Sequence, residues 1–181
     1  MTASAIDGNT VGARAERAGL DFDELVRRHQ SMVFSLSYHF LHDRETAEEV
    51  AQEVFLTLHR HLAEIESPAH AEYWLRKVAA QRSMDEARRR KRRPQVALEA
   101  VAEPAAKPSP EDPMVGEVLR RLIATLPEAP RMVMVMRYQE DLDPTEIAAL
   151  LEMPLATVKS HLQRSLAVLR EKLERRSKGE R

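Results

Sequence analysis

The polar face of a helix in the last forty residues carries side chains that suit contact with DNA. Between Asp143 and Leu173 the sequence predicts a short helix, a tight connection at Glu152 and Met153, and a second helix with Pro154 in its first turn. The second helix displays hydrogen-bond donors, with two polar residues at the edges of the same face: Lys159, Ser160, Gln163 and Arg164, then Thr157 and His161. Such a helix fits the major groove, where these side chains reach phosphates and base edges. The pattern predicts a helix-turn-helix that contacts duplex DNA.

Apolar residues at helical spacing predict a buried seam behind that polar face. The seam would hold both helices of the motif against the rest of the chain, and it consists of Ile147, Leu150, Leu151, Val158, Leu162, Leu166, Leu169 and Leu173. The alternative interpretation is an ordinary helical hairpin with a solvated polar face. Because the turn, the seam and the donors coincide, DNA binding is the favoured interpretation.

Composition limits the fold and the chemistry of the 181-residue chain. It contains five glycines and no cysteine, and no alternating strand pattern is recognisable, so an all-α fold is expected. Without cysteine, neither a disulfide framework nor a thiolate metal site can form. No apolar run approaches membrane-spanning length, and the first residues lack the apolar core of a secretory signal. The expectation is a cytoplasmic protein without membrane insertion.

Charge is distributed in blocks, although the formal net charge is only −1. Residues 20–81 contain 6 basic and 11 acidic side chains, whereas residues 82–93 contain 7 basic and 2 acidic ones. Residues 157–181 are again basic, with 8 cationic side chains against 3 acidic ones. A uniformly basic chain would coat DNA indiscriminately, whereas two basic blocks predict two separate DNA contacts.

The first half of the chain predicts a short tail followed by a helical bundle. Residues 1–19 are small, polar and aperiodic, which predicts a flexible tail. Residues 20–93 predict a domain of three amphipathic helices. Their expected bounds are roughly Asp21–Leu41, Arg44–Ile65 and Pro68–Arg92.

The second half predicts a linker and a second helical unit. Five prolines occur in residues 94–113, which precludes a continuous helix there and predicts a flexible linker. Residues 114–176 predict four helices, two of them forming the helix-turn-helix and the other two spanning about Met114–Leu126 and Pro130–Tyr138. Residues 177–181 are a tail. The expected architecture is therefore two small helical domains, an N-terminal bundle and a C-terminal four-helix unit.

The second predicted helix has an acidic face with an aromatic residue at its edge. The face comprises Glu45, Glu48, Glu49, Gln52 and Glu53, and Phe55 lies beside the apolar stripe. Such a surface suits docking onto a basic helical partner. The more common role of an acidic helix face is simple solvation, so this signal is weak by itself.

The third predicted helix ends in six consecutive basic residues, Arg88 to Arg93. A cationic run behind Tyr73 and Trp74 is typical of proteins that hold single-stranded nucleic acid by base stacking. Two plainer interpretations remain open. The run could be a solvated helix end that favours cations, and Trp74 could be an anchor in the core.

Three segments taken together resemble a known family. The segments AEEVAQEVFL, AEYWLRKVAAQRSMDEARRRKRR and LPEAPRMVMVMRYQEDLDPTEIAALLEMPLATVKSHLQRSLAVLREKL resemble extracytoplasmic-function sigma factors in order and spacing. These are the small two-domain sigma subunits of bacterial RNA polymerase. The resemblance covers roughly residues 20–93 and 114–174. It implies that the first domain binds the polymerase clamp and the −10 promoter element, and that the second binds the −35 element.

The resemblance also implies a role for particular positions. Those expected on or near the core-polymerase surface are Glu48, Glu49, Gln52, Glu53 and Phe55. Those expected at the −10 element are Ser67, His70, Tyr73, Trp74, Gln81, Arg82, Asp85, Arg88 and Arg89, with the loop 66–71 capturing an extruded base. Those expected at the −35 duplex are Thr157, Lys159, Ser160, His161, Gln163 and Arg164.

Four positions depart from the family pattern. Gln81 replaces a usual asparagine beside the −10 reader, and Ala156 stands where glycine often precedes Thr-Val-Lys. Glu152 occupies the turn position that glycine commonly holds, so it is expected to adopt a left-handed conformation at some cost. His161 replaces a common arginine and would contact phosphate more weakly at neutral pH.

A sigma subunit requires no catalytic residue, cofactor or small-molecule substrate, since the polymerase performs phosphoryl transfer. The resemblance further implies an anti-sigma partner.

The main alternative is a stand-alone helix-turn-helix regulator, but no receiver-like strand pattern precedes the motif. An enzyme is disfavoured because no phosphate-cradling glycine loop and no His-Glu-x-x-His spacing occur. His59 and His61 would diverge on a helix, so no metal site is predicted.

Overall fold

The computed structural model describes residues 20–92 and 113–179, and within these ranges it contains seven α-helices and no strand. The helices are α1 Phe22–Leu41, α2 Arg44–His61, α3 Pro68–Arg92, α4 Pro113–Ala124, α5 Glu128–Tyr138, α6 Pro144–Leu150 and α7 Leu155–Gly179, with a 3₁₀ turn at Leu62–Glu64. The predicted all-α fold class is confirmed. The predicted tail at 1–19 and nearly all of the predicted linker at 94–113 lie outside the described residues.

Aspartate caps define the hairpin of α1 and α2. The Asp21 carboxylate accepts a hydrogen bond from the Asp23 N–H at 3.2 Å, and Asp43 accepts one from the Thr46 N–H at 2.8 Å. Each cap satisfies a donor that the first turn of a helix leaves unpaired. His42 ends α1 in a left-handed conformation, φ 56°, and its N–H donates to the Tyr38 carbonyl at 2.8 Å. The connection between the two helices is therefore only two residues long.

Helices α1, α2 and α3 pack together as the N-terminal lobe. Its core contains the apolar faces of all three helices: Leu25, Val33, Leu36, Phe40, Ala47, Val50, Val54, Leu58, Ala71, Leu75, Ala79 and Ala80. Other apolar residues of this lobe are only partly buried, among them Phe22, Val26, Leu62, Trp74 and Val78. The only polar pair in this core among the described residues is Ser37 and Ser83, whose hydroxyls hydrogen-bond at 3.2 Å.

Helices α4 to α7 form the C-terminal lobe, with α5 at its centre. Five consecutive residues of α5, 132–136, are buried. A helix that is apolar around its whole circumference requires neighbours on several sides. Helix α5 has them, because it contacts α4, α6 and α7 within its own lobe and α1 and α3 of the other lobe.

The predicted helix-turn-helix is present in α6 and α7. Asp143 and Glu146 form a capping box, in which the Asp143 carboxylate accepts from the Glu146 N–H at 2.9 Å and Glu146 accepts from the Asp143 N–H at 2.7 Å. Pro144 occupies the first turn of α6. The expected left-handed conformation of Glu152 is confirmed by its φ of 53°. Pro154 lies just before α7 rather than in its first turn, and its carbonyl accepts from the Val158 N–H at 3.2 Å.

The predicted seam of α7 is wrong in its carboxyl-terminal half. Val158 and Leu169 are buried, but Leu166 and Leu173 are 39% and 41% exposed. Ser165 takes the inward position instead, because the spacing 158, 162, 165, 169 follows the helical period more closely than a leucine-only pattern. Leu151 and Leu162 are partly buried. The positions of the leucines in α7 therefore do not by themselves identify its buried face.

The two lobes share one apolar cluster rather than having separate cores. The cluster includes Val33, Phe40 and Leu75 from the N-terminal lobe together with Met132 and Ile147 from the C-terminal lobe. Helix α1 contacts α4 and α5, and helix α3 contacts α5 and α6. This closed arrangement, with the lobes in direct contact, places the end of α3 beside the start of α5.

Candidate nucleic-acid interface

The outer face of α7 presents its cations to solvent. Lys159, Gln163 and Arg164 are exposed, and Thr157, Ser160 and His161 are partly exposed. Val158 on the opposite side is fully buried and fixes the rotation of the helix. Neither Lys159 nor Arg164 forms an ion pair with any residue that the structure describes. Their donors are therefore available to a phosphate or a base edge without breaking an internal contact.

The basic run at the end of α3 has a different electrostatic environment. Each of its described arginines through Arg90 is within ion-pair distance of a carboxylate: Arg88 contacts Asp85 at 3.2 Å, Arg89 contacts Glu86 at 2.6 Å, and Arg90 contacts Asp43 at 3.3 Å. Six residues before Arg88, Arg82 lies 3.9 Å from Glu53. All these carboxylates belong to the N-terminal lobe.

Glu128 adds a carboxylate from the C-terminal lobe. One of its oxygens accepts from the Arg88 guanidinium at 3.1 Å, and the other accepts from the Lys91 ammonium at 2.7 Å. The hydrogen bond from Lys91 is the main reason why the pKa of Glu128 lies below its usual value, and Arg88 contributes in the same direction. The Glu128 side chain is only 16% exposed, whereas those of Arg88 and Lys91 are 54% and 64% exposed.

The two aromatic residues predicted at the −10 element are neighbours on α3 and have different surroundings. The Tyr73 hydroxyl donates to the Ala149 carbonyl at 3.2 Å, so this ring contacts α6 in the closed arrangement. Trp74 is partly buried against the N-terminal core, and its ring centroid lies 6.1 Å from that of His61. Gln81 and Asp85 are exposed on the same helix. Trp74 thus combines packing with an accessible edge.

The loop before α3 is ordered by local hydrogen bonds. The Ser67 hydroxyl accepts from the His70 N–H at 3.1 Å, and the Glu66 N–H donates to His70 Nδ1 at 3.2 Å. His70 Nδ1 therefore acts as an acceptor, which leaves the proton of the neutral ring on Nε2. Ser67 and His70 remain partly exposed, and Glu66 is exposed.

The acidic face of α2 borders an open apolar groove of about 700 Å³ between α1 and α2. Glu48, Gln52 and Phe55 line the groove, whereas Glu49 and Glu53 are exposed outside it. Five apolar residues also line this groove, which was not predicted from the sequence: Phe22, Val26, Phe34, Ala51 and Leu56. Leu56 is 59% exposed. An exposed leucine next to Phe55 was the signal that could have revealed the apolar character of this surface.

Several contacts between the lobes were not predicted from the sequence. Arg131 donates to the Phe40 carbonyl at 3.2 Å and lies 5.2 Å from the centre of the Phe40 ring. Lys77 pairs with Glu152 at 2.7 Å. Arg76 pairs with Glu140 at 3.4 Å, and burial raises the pKa of the Glu140 carboxyl although Arg76 opposes that shift. Residues so far apart in the chain show no spacing signal.

Neither a metal-binding cluster nor a helix able to span a membrane is present in the described residues. No group of three or more histidine or acidic side chains there is arranged to hold a metal ion. None of the described helices combines the length and apolarity required to cross a membrane.

The chain is similar to known sigma factors along most of its length. Residues 25–93 match the Sigma-70 region 2 family, and residues 116–169 match Sigma-70 region 4. The ECF RNA polymerase sigma factor SigE of Mycolicibacterium smegmatis is 33% identical over 165 residues, which cover 86% of this chain but only 63% of that protein. The RNA polymerase sigma-E factor of Streptomyces avermitilis is 30% identical over 157 residues, which cover 87% of each chain.

A solved structure supports the same fold. The sigma factor RpoE from Bartonella quintana, crystallised with the anti-sigma factor NepR, superposes with a TM-score of 0.70 at 17% identity, covering 85% of this chain and 97% of that one. At such low identity the likeness concerns the fold alone. Taken with the sequence matches, the chain belongs to the sigma-70 family of RNA polymerase sigma factors, in its extracytoplasmic-function group.

Proposed function

We propose that this protein joins core RNA polymerase, directs it to promoters with particular −35 and −10 elements, and promotes strand opening there. The observation that carries the proposal is the presence of two basic surfaces, on α7 and at the end of α3, in lobes that match sigma regions 4 and 2 in that order. The proposed domains are residues 20–93 and 114–176, joined by the segment 94–113.

Recognition of the −35 duplex is assigned to the outer face of α7. The exposed and unpaired cations Lys159 and Arg164 would bind phosphate or a base edge, and Gln163 would bind a base through its amide. The remaining members of the face, Thr157, Ser160 and His161, are positioned for phosphate and base contacts. Because the buried Val158 fixes the helix rotation, these side chains project together.

Recognition and opening of the −10 element are assigned to α3 and the loop before it. Unstacking costs a few kcal/mol per base, and the cationic end of α3 would offset part of that cost by binding backbone phosphates. Tyr73 and Trp74 would stack on separated bases, with Ser67, His70 and Gln81 nearby. The remaining −10 positions are Arg82, Asp85, Arg88 and Arg89.

The two basic surfaces together would make on the order of six phosphate contacts. The logarithm of the promoter binding constant should then fall with the logarithm of the salt concentration, with a slope near −5.

The surface for core polymerase is assigned to the groove between α1 and α2 and its acidic rim. Apolar side chains at the centre and carboxylates at the edge suit a helical partner with a basic surface and an apolar stripe. Glu48, Gln52 and Phe55 would contact the partner within the groove, and Glu49 and Glu53 would steer it from the rim. The partner proposed is the clamp region of the polymerase.

The chain would act without chemistry of its own, since the polymerase performs phosphoryl transfer. We therefore assign it no catalytic residue and no substrate, and its place of action is the cytoplasm. An anti-sigma factor is a further proposed partner. Support comes from RpoE of Bartonella quintana, which has the same fold and was crystallised with such a protein.

Reconstitution with core RNA polymerase tests the proposal. We expect the full chain to co-purify with the core enzyme and to direct run-off transcription from promoters found by sequencing transcripts after induced expression. Core enzyme alone is the control. If the chain instead binds duplex DNA by itself as a dimer and leaves the transcription of core polymerase unchanged, it is a stand-alone regulator and the proposal is wrong.

A further inference from the structure

We infer that Arg88 and Lys91 form one phosphate-binding pair for a DNA strand, and that Glu128 occupies this pair in the closed arrangement. The inference rests on the proposed function, because it concerns regulation of the surface assigned to the −10 element. It adds Lys91 to that surface and assigns to Glu128 the role of an internal competitor for DNA.

The geometry resembles the binding of an anion by two converging cations. Each Glu128 oxygen accepts from a different cation, at 3.1 Å from Arg88 and at 2.7 Å from Lys91. A backbone phosphate also offers two non-bridging oxygens to such a pair. Because Arg88 and Lys91 are one helical turn apart on α3, one anion can bridge them.

Within the described part of the basic run, Arg88 and Lys91 are the cations that would lose a carboxylate partner when the lobes separate. Arg89 and Arg90 contact Glu86 and Asp43, which belong to the same lobe and would stay with them. Glu128 belongs to the other lobe, at the start of α5. Separation would therefore leave Arg88 with the exposed Asp85, and Lys91 without its described carboxylate partner.

The position of Glu128 is fixed by contacts on its own helix. Arg131, nearly one turn later, donates to the Phe40 carbonyl at the end of α1 and to the Leu126 carbonyl at 2.9 Å. These bonds fix the start of α5 against the N-terminal lobe. The carboxylate also lies in the first turn of α5, where the helix dipole favours a negative charge. This local benefit explains an acid at position 128, but it does not explain why its two oxygens meet two cations of α3.

A single-stranded oligodeoxynucleotide is the probe that tests the competition. Its affinity for the full chain is measured at low salt by fluorescence anisotropy. We expect Glu128→Gln to raise the affinity about threefold to tenfold, the range that two partly exposed ion pairs represent. In the Glu128→Gln background, Arg88→Ala with Lys91→Ala should remove this gain.

Glu152→Gln is the matched control variant. It also removes one carboxylate that bridges the lobes, but the partner of Glu152 is Lys77 rather than the basic run. We expect its affinity to stay within twofold of the wild type. Circular dichroism of each variant confirms that it is folded.

Two results would overturn the inference. One is an unchanged affinity of Glu128→Gln, including the case in which no variant binds the oligonucleotide. The other is an equal gain in Glu152→Gln, which would mean that opening of the lobes, rather than release of Arg88 and Lys91, controls binding. Failure of the proposed function is a separate result, because it is read from run-off transcription by the wild type with core polymerase.

Discussion

The two surfaces proposed to contact DNA differ in how their cations are held. On α7, Lys159 and Arg164 are exposed and make no ion pair with a described residue, so DNA can bind them without displacing an internal carboxylate. At the end of α3, the cations from Arg88 to Lys91 all lie beside carboxylates, one of which comes from the opposite lobe. The proposed −35 surface is therefore available in the closed arrangement, whereas the cations of the proposed −10 surface would first have to leave their carboxylate partners.

This difference suggests an order of events. Duplex binding by α7 would require no internal rearrangement, while binding of a separated strand by α3 would compete with Glu128 and with the contact between Tyr73 and Ala149. Internal competition of this kind would disfavour binding of single strands until the lobes move apart. The following predictions test whether the two surfaces really differ in this way.

The largest effect is expected on the proposed −35 surface of α7, whose cations are exposed and make no ion pair with a described residue. Lys159→Ala with Arg164→Ala should weaken binding of −35 duplex about 100-fold, because each side chain contributes on the order of 1–3 kcal/mol through phosphate or base contacts. Affinity for core polymerase should not change. Duplex binding by the holoenzyme and co-purification with core enzyme measure the two quantities.

The control for that prediction is Arg170→Ala with Arg175→Ala. It removes the same charge from the exposed surface of the same helix, outside the proposed −35 face. We expect it to affect duplex binding less than threefold at moderate salt. Loss of core-polymerase binding by the Lys159 and Arg164 variant would show that the assignment of the lobes is wrong.

A second large effect is expected at the contact that joins the two lobes. Arg76→Ala would leave Glu140, whose side chain is only 6% exposed, without its cation and close to Glu72. We expect the free energy of unfolding to fall by about 2 kcal/mol, since removing one partner of a buried ion pair leaves an uncompensated charge. Urea denaturation measures this change.

Two further variants test whether the unpaired charge of Glu140 causes that fall in the free energy of unfolding. Adding Glu140→Gln to Arg76→Ala should recover at least half of the lost stability, because the buried charge is then absent. Arg27→Ala removes an arginine whose pairing with Asp21 is exposed, at 3.9 Å, and should change stability by less than about 0.5 kcal/mol. A loss in Arg76→Ala that Glu140→Gln does not relieve would point to packing of the arginine stem instead.

A moderate effect is expected on the proposed −10 surface at the end of α3, whose cations pair with carboxylates. Replacing Arg88, Arg89 and Arg90 with alanine should reduce the rate of promoter opening about tenfold while duplex docking changes less than threefold. The reason is that these cations are proposed to bind separated strands, whose contact is largely electrostatic. Permanganate footprinting measures the opened region, and an unchanged bubble would contradict the assignment.

Local features of the chain were predictable, whereas contacts between the lobes were not. Asp143, Pro144 and Glu146 identify the start of α6 by type and spacing, and the left-handed Glu152 followed from its place in the turn. The outer face of α7 was predicted as polar, and all its members are at least partly exposed. These features depend on neighbours within one or two helical turns.

The features that were missed depend on residues far apart in the chain. Glu128 was not predicted to contact the basic run, because 37 residues separate it from Lys91 and no periodicity relates them. Leu166 and Leu173 were predicted to be buried but are exposed, whereas Ser165 and Leu169 are buried. Hydrophobicity alone cannot show which of several leucines on a helix face the core.

The smallest effect is expected from titration of Glu128. Its pKa in the folded protein is lowered by Lys91 and Arg88 from a usual value of 4.5, so its stabilising effect is present above that value. The effect is lost as the pH falls through the lowered pKa of the folded state. At pH 7 we expect the wild type to melt about 2 °C above Glu128→Gln, the shift for about 0.5–1 kcal/mol. The difference should begin to shrink as the pH falls below 4.5 and should vanish once the pH is below the lowered pKa of the folded state.

Glu140 is a control for this titration, because its pKa is shifted in the opposite direction from that of Glu128. Burial raises its pKa, so its carboxylate opposes folding at neutral pH and takes up a proton more readily in the folded state than in the unfolded state. On acidification through the raised pKa, the wild type should therefore gain stability relative to Glu140→Gln, while it loses its advantage over Glu128→Gln. If both differences change in the same direction with pH, Glu128 is not held by the two cations in solution. The proposed −10 surface would then be paired only with carboxylates of its own lobe, and the proposed competition by the opposite lobe would not occur.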